Sequence, residues 1–197
     1  MEKEELLEWV VRNGLFLAAS RTYGEQYVEP FVREWYGLNE ATYADHDAVG
    51  TDGTKYEIKS CKVMKSSVNR RGSRTLLQRV LYENDNLSHK RAVPFSDAKT
   101  AKYDANVQNV KRDHFDILIY VLLFADCLKI FWANAEDIKV GQFRGWSDRH
   151  GRYDQPGKSG QFNVTKSTIE WHIENHLKET ISYEDLANTF SKMSGTQ

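Results

Sequence analysis

Ten residues in the second half of the chain constrain its fold most. Phe115–Phe124 reads F-D-I-L-I-Y-V-L-L-F, an almost unbroken apolar run rich in β-branched and aromatic side chains. Such residues favour strands, and a strand that is apolar on both alternating faces must be covered on both. The alternative, a buried helix, fits the β-branched content poorly. A sheet with cover on each side is therefore expected. Cys127–Ala133, C-L-K-I-F-W-A, follows after only Ala125-Asp126 and reads as a neighbouring strand. With 197 residues, the chain is expected to form one domain spanning 1–197.

Helical periodicity frames this sheet. Residues 2–18 carry one apolar stripe through Leu6, Leu7, Val10 and Val11. A second stripe runs from about Tyr23 to Tyr36, where Pro30 either kinks the helix or opens a new one and Gly37 supplies a stop. Leu76–Tyr82 reads as a short helix, and 97–112 as a polar helix carrying Ala98, Ala101, Ala105, Val107 and Val110. Ser167-Thr168-Ile169-Glu170 and Ser182-Tyr183-Glu184-Asp185 read as capping boxes opening helices to about Lys178 and Lys192, within a C-terminal helical segment 167–193. His172 and His176 lie one turn apart there. Without an H-E-x-x-H pattern they read as surface or packing histidines. The expected class is α/β (α+β): a central mixed sheet of four to five strands flanked by helices.

No run approaches eighteen apolar residues, and the acidic start Met1–Glu5 leads into no signal peptide, so neither a membrane span nor secretion is expected. Cys61 and Cys127, both in expected strands, read as buried thiols of a reducing, cytoplasmic compartment rather than as a disulfide or zinc site.

Charge is balanced overall at −1 but unevenly distributed. Residues 1–54 hold 4 Lys/Arg against 11 Asp/Glu, residues 55–112 hold 14 against 5, and the rest 9 against 12. A basic middle third in a neutral chain points to one face meant for a polyanion. Lys55 to Arg79 is its densest part, with eight Lys/Arg and Glu57 as the single acid. Lys62, Lys65, Arg70, Arg71 and Arg74 are its candidate phosphate contacts. Residues 141–160 lack periodicity and read as a functional loop. Arg144, Arg149 and Arg152 in it, with Gln161 and Asn163 just beyond, can make base contacts.

The chemistry concentrates at Asp47–Lys59, D-A-V-G-T-D-G-T-K-Y-E-I-K. Asp52-Gly53 marks a turn between short strands at 42–49 and 54–63. Glu57 and Lys59, two apart on a strand, share a face. Asp47, or its rival Asp45, can fold back across the hairpin. Two carboxylates meeting one lysine form a hard-oxygen site suited to Mg²⁺. A metal-bound water there could hydrolyse a phosphodiester, with the lysine orienting the water or stabilising developing charge.

Asp47, Glu57-Ile58-Lys59 and the turn between them resemble the PD-(D/E)xK nuclease motif, whose members include type II restriction endonucleases. His46 stands where that motif has proline. The resemblance implies a restriction-endonuclease-like core over roughly 20–133, with DNA-contacting segments at 64–96 and 141–163. It implies metal ligation by Asp47, Glu57 and the Ile58 carbonyl, water positioning by Lys59, and an assisting helix glutamate, Glu25 with Glu29 as fallback. It further implies Mg²⁺, with Mn²⁺ expected to substitute, and a homodimer that cuts both strands of duplex DNA. A Holliday-junction-resolvase-like repair nuclease and an inactive DNA-binding module with the same fold are the competing expectations.

Overall fold

The structure is a computed structural model that describes residues 24–42, 45–66, 88–149 and 159–194. It is a mixed α/β assembly of one six-stranded sheet, one three-stranded sheet and a few helices. The expected helices at 2–18 and Leu76–Tyr82 lie outside the described residues, as do Arg70, Arg71, Arg74 and Arg152.

A π-helical turn, Gly24–Val28, leads into α1 (Glu29–Tyr36). Pro30 sits in the first turn of α1, where its missing N–H costs nothing. Gly37 ends the helix at φ 63°, and Leu38 N–H donates to Arg33 O at 2.8 Å. Short strands β1 (Asn39–Glu40) and β2 (Ala48–Val49) follow, then β3 (Lys55–Lys62). The one-turn helix α2 (Ser88–Arg91) and strand β4 (Ala105–Val110) precede the apolar run, which forms β5 (Ile117–Leu123). Next come β6 (Cys127–Asn134), β7 (Trp146–Ser147) and β8 (Gly160–Val164). The chain closes with α3 (Ile169–His176), β9 (Leu177–Ser182) and α4 (Tyr183–Ser194).

The large sheet has the order β1-β2-β3-β5-β6-β9. β5 is central, parallel to β3 and antiparallel to β6, and every residue from Leu118 to Leu123 is buried. The two faces of β5 feed separate cores. Leu118, Tyr120 and Leu122 pack beneath the small sheet β4-β8-β7 together with Phe131, Phe143, Phe162 and Ile169. Ile119, Val121 and Leu123 pack on the other side with Phe31 and Val32 of α1 and Leu186 of α4. A fully buried aliphatic side chain contributes roughly 1.5–3 kcal/mol, so this strand anchors both layers.

Four expectations need correction. Residues 97–112 are not a helix. After a 3₁₀ turn, Phe95–Asp97, the chain enters β4. Ala105 and Val107 alternate with Asn106 and Gln108, and pairing with distant β8 decided the outcome against local alanine content. The segment 141–160 is not one long loop. Phe143 and Trp146 are buried and β7 begins at Trp146, while 150–158 lie outside the described residues. Nor does α3 begin on a Ser167 capping box. It starts at Ile169, and Thr168 Oγ1 instead accepts from Thr165 N–H at 3.0 Å. α3 stops at His176 because the chain turns into β9, which covers the open edge of β6. The large sheet therefore has six strands rather than four or five, and the small sheet is an addition.

The second capping box does form. Ser182 Oγ donates to Asp185 Oδ2 at 2.7 Å and accepts from Asp185 N–H at 3.0 Å. Ser182→Ala is expected to cost about 1 kcal/mol. A thermal melt should show a drop of roughly 2–4 °C. Cys61 and Cys127 are free, half-buried thiols in β3 and β6, and burial pushes them up to about 12 and about 11. No described helix is long and apolar enough to cross a membrane.

Candidate active site

β2 pairs with β3 only at Ala48↔Tyr56 and Val49↔Lys55. Asp47 N–H donates to Tyr56 O at 3.0 Å, so the backbone of Tyr56 faces β2. Two residues on, the N–H and C=O of Ile58 point to the same edge, where β2 has ended. The Asp47 side chain fills that gap, its Oδ2 accepting from Ile58 N–H at 2.7 Å. The hairpin thus sets the carboxylate of Asp47 beside the exposed backbone of its partner strand.

Glu57 and Lys59 share one face of β3, and Lys59 Nζ binds both acids. It forms an ion pair with Glu57 and lies 3.5 Å from Asp47 Oδ2 and 3.4 Å from the Ile58 carbonyl oxygen. Asp47, Glu57, Lys59 and the Ile58 carbonyl are thereby brought together. Glu57 is only 7% exposed. Burial raises its pKa above the usual carboxylate range, against the opposing pull of Lys59. Burial also disfavours the charge on Lys59, but Asp47 and Glu57 outweigh it and hold the ammonium above its ordinary value.

Asp45 goes elsewhere, its carboxylate lying 3.7 Å from His114 Nδ1. Glu25 is exposed on the π-helical turn, whereas Glu29 faces the cluster. Gly24 makes this possible: a Cβ there would lie 3.3 Å from Ser60 Oγ and 3.9 Å from Glu29 Oε1, so the turn rides close over β3. Burial, then the charge on Asp47, push Glu29 up to about 7. Glu29→Gln is therefore expected to slow the chemistry of this site roughly 10- to 100-fold. Glu25→Gln should leave it within about twofold, and rate measurements on the two variants decide between them.

Sequence reasoning missed Lys111, whose charge acts on Glu57. It arrives through β4, and no local pattern signals it. The expected DNA contacts divide. Lys65, Arg144 and Arg149 are exposed, and Gln161 and Asn163 are half-buried on β8. Lys62 is a correction: it is 8% exposed, its side chain on the face of β3 away from Lys59, and burial brings it down to about 8. It is not a surface phosphate contact. His172 and His176 pack among aromatic rings.

Among the described residues, no group of three or more His, Cys, Asp or Glu side chains is close enough to hold a metal ion. The donor set at the β3 edge is two carboxylates and one backbone carbonyl, all hard oxygens, which matches what Mg²⁺ takes from proteins. No protein-family model matches the sequence, and no curated protein is significantly similar to it.

Proposed function

We propose that this protein is a Mg²⁺-dependent, site-specific endonuclease of double-stranded DNA, built on a PD-(D/E)xK core like that of type II restriction enzymes. The observation that carries the reading is the convergence of Asp47, Glu57, Lys59 and the Ile58 carbonyl at the open edge of β3. The order of a helix, an antiparallel hairpin and a further strand parallel to β3 also accords with that core.

Asp47, Glu57 and the Ile58 carbonyl would hold Mg²⁺. When bound, the ion supplies a more acidic water and a counter-charge for phosphate oxygens. Lys59, kept charged by its two acids, orients the attacking water or stabilises charge that develops on the phosphate. Glu29, raised to about 7, is about half ionised at pH 7, and in its carboxylate form it can take up a proton at the same edge. Water oxygen bonds to phosphorus as the bond to one deoxyribose oxygen breaks. The exposed cations Lys65 and Lys111 would meet the phosphate backbone. A cytoplasmic homodimer, one site per strand, belongs to the same reading.

Incubation of a sequence-diverse plasmid with Mg²⁺, followed by sequencing of the ends, tests this. Discrete ends at one short sequence are expected. Random ends would point to a non-specific nuclease, cleavage confined to four-way junctions to a resolvase, and tight binding without cleavage to an inactive module.

A further inference from the structure

β4 and β8 form an antiparallel ribbon of unusual composition. The chain holds eighteen Asn and Gln residues, and five of them, Asn106, Gln108, Asn109, Gln161 and Asn163, fall within the eleven residues of these two strands. Asparagine is disfavoured in strands, so the fold does not ask for this. The register gathers them. Asn106 lies opposite Asn163. A bulge between Val107 and Val110 sets Gln108 and Asn109 together opposite Gln161, with Ser147 of β7 on its far side. Ala105, Val107, Val110, Phe162 and Val164 fill the buried face, so the amides at 106, 108, 161 and 163 occupy the other.

Backbone requirements account for one of the five. Asn109 has φ 57°, a conformation asparagine tolerates better than most residues. They do not account for the rest. The Oδ1 atoms of Asn106 and Asn163 are shielded from solvent and accept no hydrogen bond, so those oxygens do not hold the ribbon together. Bulges of this kind commonly re-aim side chains beside active sites.

The ribbon also lies against the candidate site. β4 packs along β3, and Cys61, two residues past Lys59 on the same face of β3, packs against the cluster that holds Ala105 and Val107. At the other end of β4, Lys111 acts on Glu57. β4 thus runs beside the carboxylates, and the exposed cations Lys102 and Lys111 bracket it.

We propose that the β4–β8 ribbon is the base-reading element. Gln108, Asn109 and Gln161 present carboxamides to adenine edges in the major groove of the DNA cut at the β3 edge. A carboxamide matches adenine N6 and N7 with one donor and one acceptor. The proposal rests on the nuclease reading and adds to it where sequence is read and which base is favoured.

The test is cleavage, with Mg²⁺, of a duplex library carrying a randomised block, followed by sequencing of the cut molecules. Wild type should favour a site with at least one A·T pair. Gln108→Ala, Gln161→Ala and Asn109→Gly, the last keeping the positive φ open, should each slow cutting of that site about tenfold or more. They should also relax the preference at one position, with melting temperatures close to wild type. Variants that cut the same sites at the same rates overturn the proposal and leave the nuclease reading standing. A wild type that shows no Mg²⁺-dependent cleavage overturns both.

Discussion

Lys59→Ala is expected to abolish detectable cleavage, with a rate loss of at least roughly 10²–10³-fold, the scale on which one charge-stabilising donor acts. The expected cost to the fold distinguishes it from Glu57→Gln. Lys59 neutralises Glu57, which is nearly buried, and Asp47 beside it. Without the ammonium, Glu57 keeps a buried charge opposed only by the weaker pull of Lys111, so this variant is expected to be less stable at pH 8 than at pH 5. Glu57→Gln removes that buried charge and leaves Lys59 paired with Asp47. It should therefore lose cleavage as completely while melting at or above the wild-type temperature. Cleavage rates and melts on the two proteins check this, and wild-type rates in either variant would remove the β3 edge from the chemistry.

The second large effect is on acid stability. His172 is fully buried, its Nδ1 lies 2.9 Å from the Tyr120 hydroxyl, and Tyr120 stacks on Phe131 with ring centroids 4.8 Å apart. Burial, then the neighbouring His176, bring His172 down to about 3. The unfolded chain takes up this proton near pH 6.5 and the folded protein only near 3, so stability falls as pH drops through that window. The slope is about 1.4 kcal/mol per pH unit. His176, also lowered by burial, adds with the same sign. Glu29 opposes it: folded at about 7 and unfolded near 4.5, it stabilises the protein as pH falls between those values. The raised pKa of Glu57 acts in the same sense. Denaturant melts should be nearly flat from pH 6.5 to 4.5 and fall steeply below. Glu29→Gln should move the onset of the fall up towards 6.5. His172→Gln, which keeps an acceptor for Tyr120, should flatten it. Parallel acid loss in wild type and His172→Gln would contradict this account.

These residues show what a sequence discloses. Phe115–Phe124 announced a strand buried on both faces because an almost unbroken apolar run rich in β-branched and aromatic side chains is visible in ten consecutive letters, and β5 occupies that place. The hairpin bringing Asp47 to Ile58 was legible for the same reason, its turn being local. β4 was not. Its alanines and valines satisfy a helical spacing as well as a strand's, and the partner that decides between them, β8, lies about fifty residues away. β9 was hidden similarly, since only the open edge of β6 makes Leu177–Ser182 a strand. Within the site, Asp47 and Lys59 could be read from spacing. The choice of Glu29 over Glu25 depended on a π-helical turn and on Gly24 passing over Ser60, which periodicity does not encode.

The most direct measurement is diffraction from crystals soaked in Mn²⁺, whose anomalous signal locates the ion without any assumption about substrate. The account predicts a peak bounded by the carboxylates of Asp47 and Glu57 at the Ile58 carbonyl, absent in Asp47→Asn. No peak at the β3 edge, or one unaffected by that substitution, would contradict a metal-dependent phosphodiester site there.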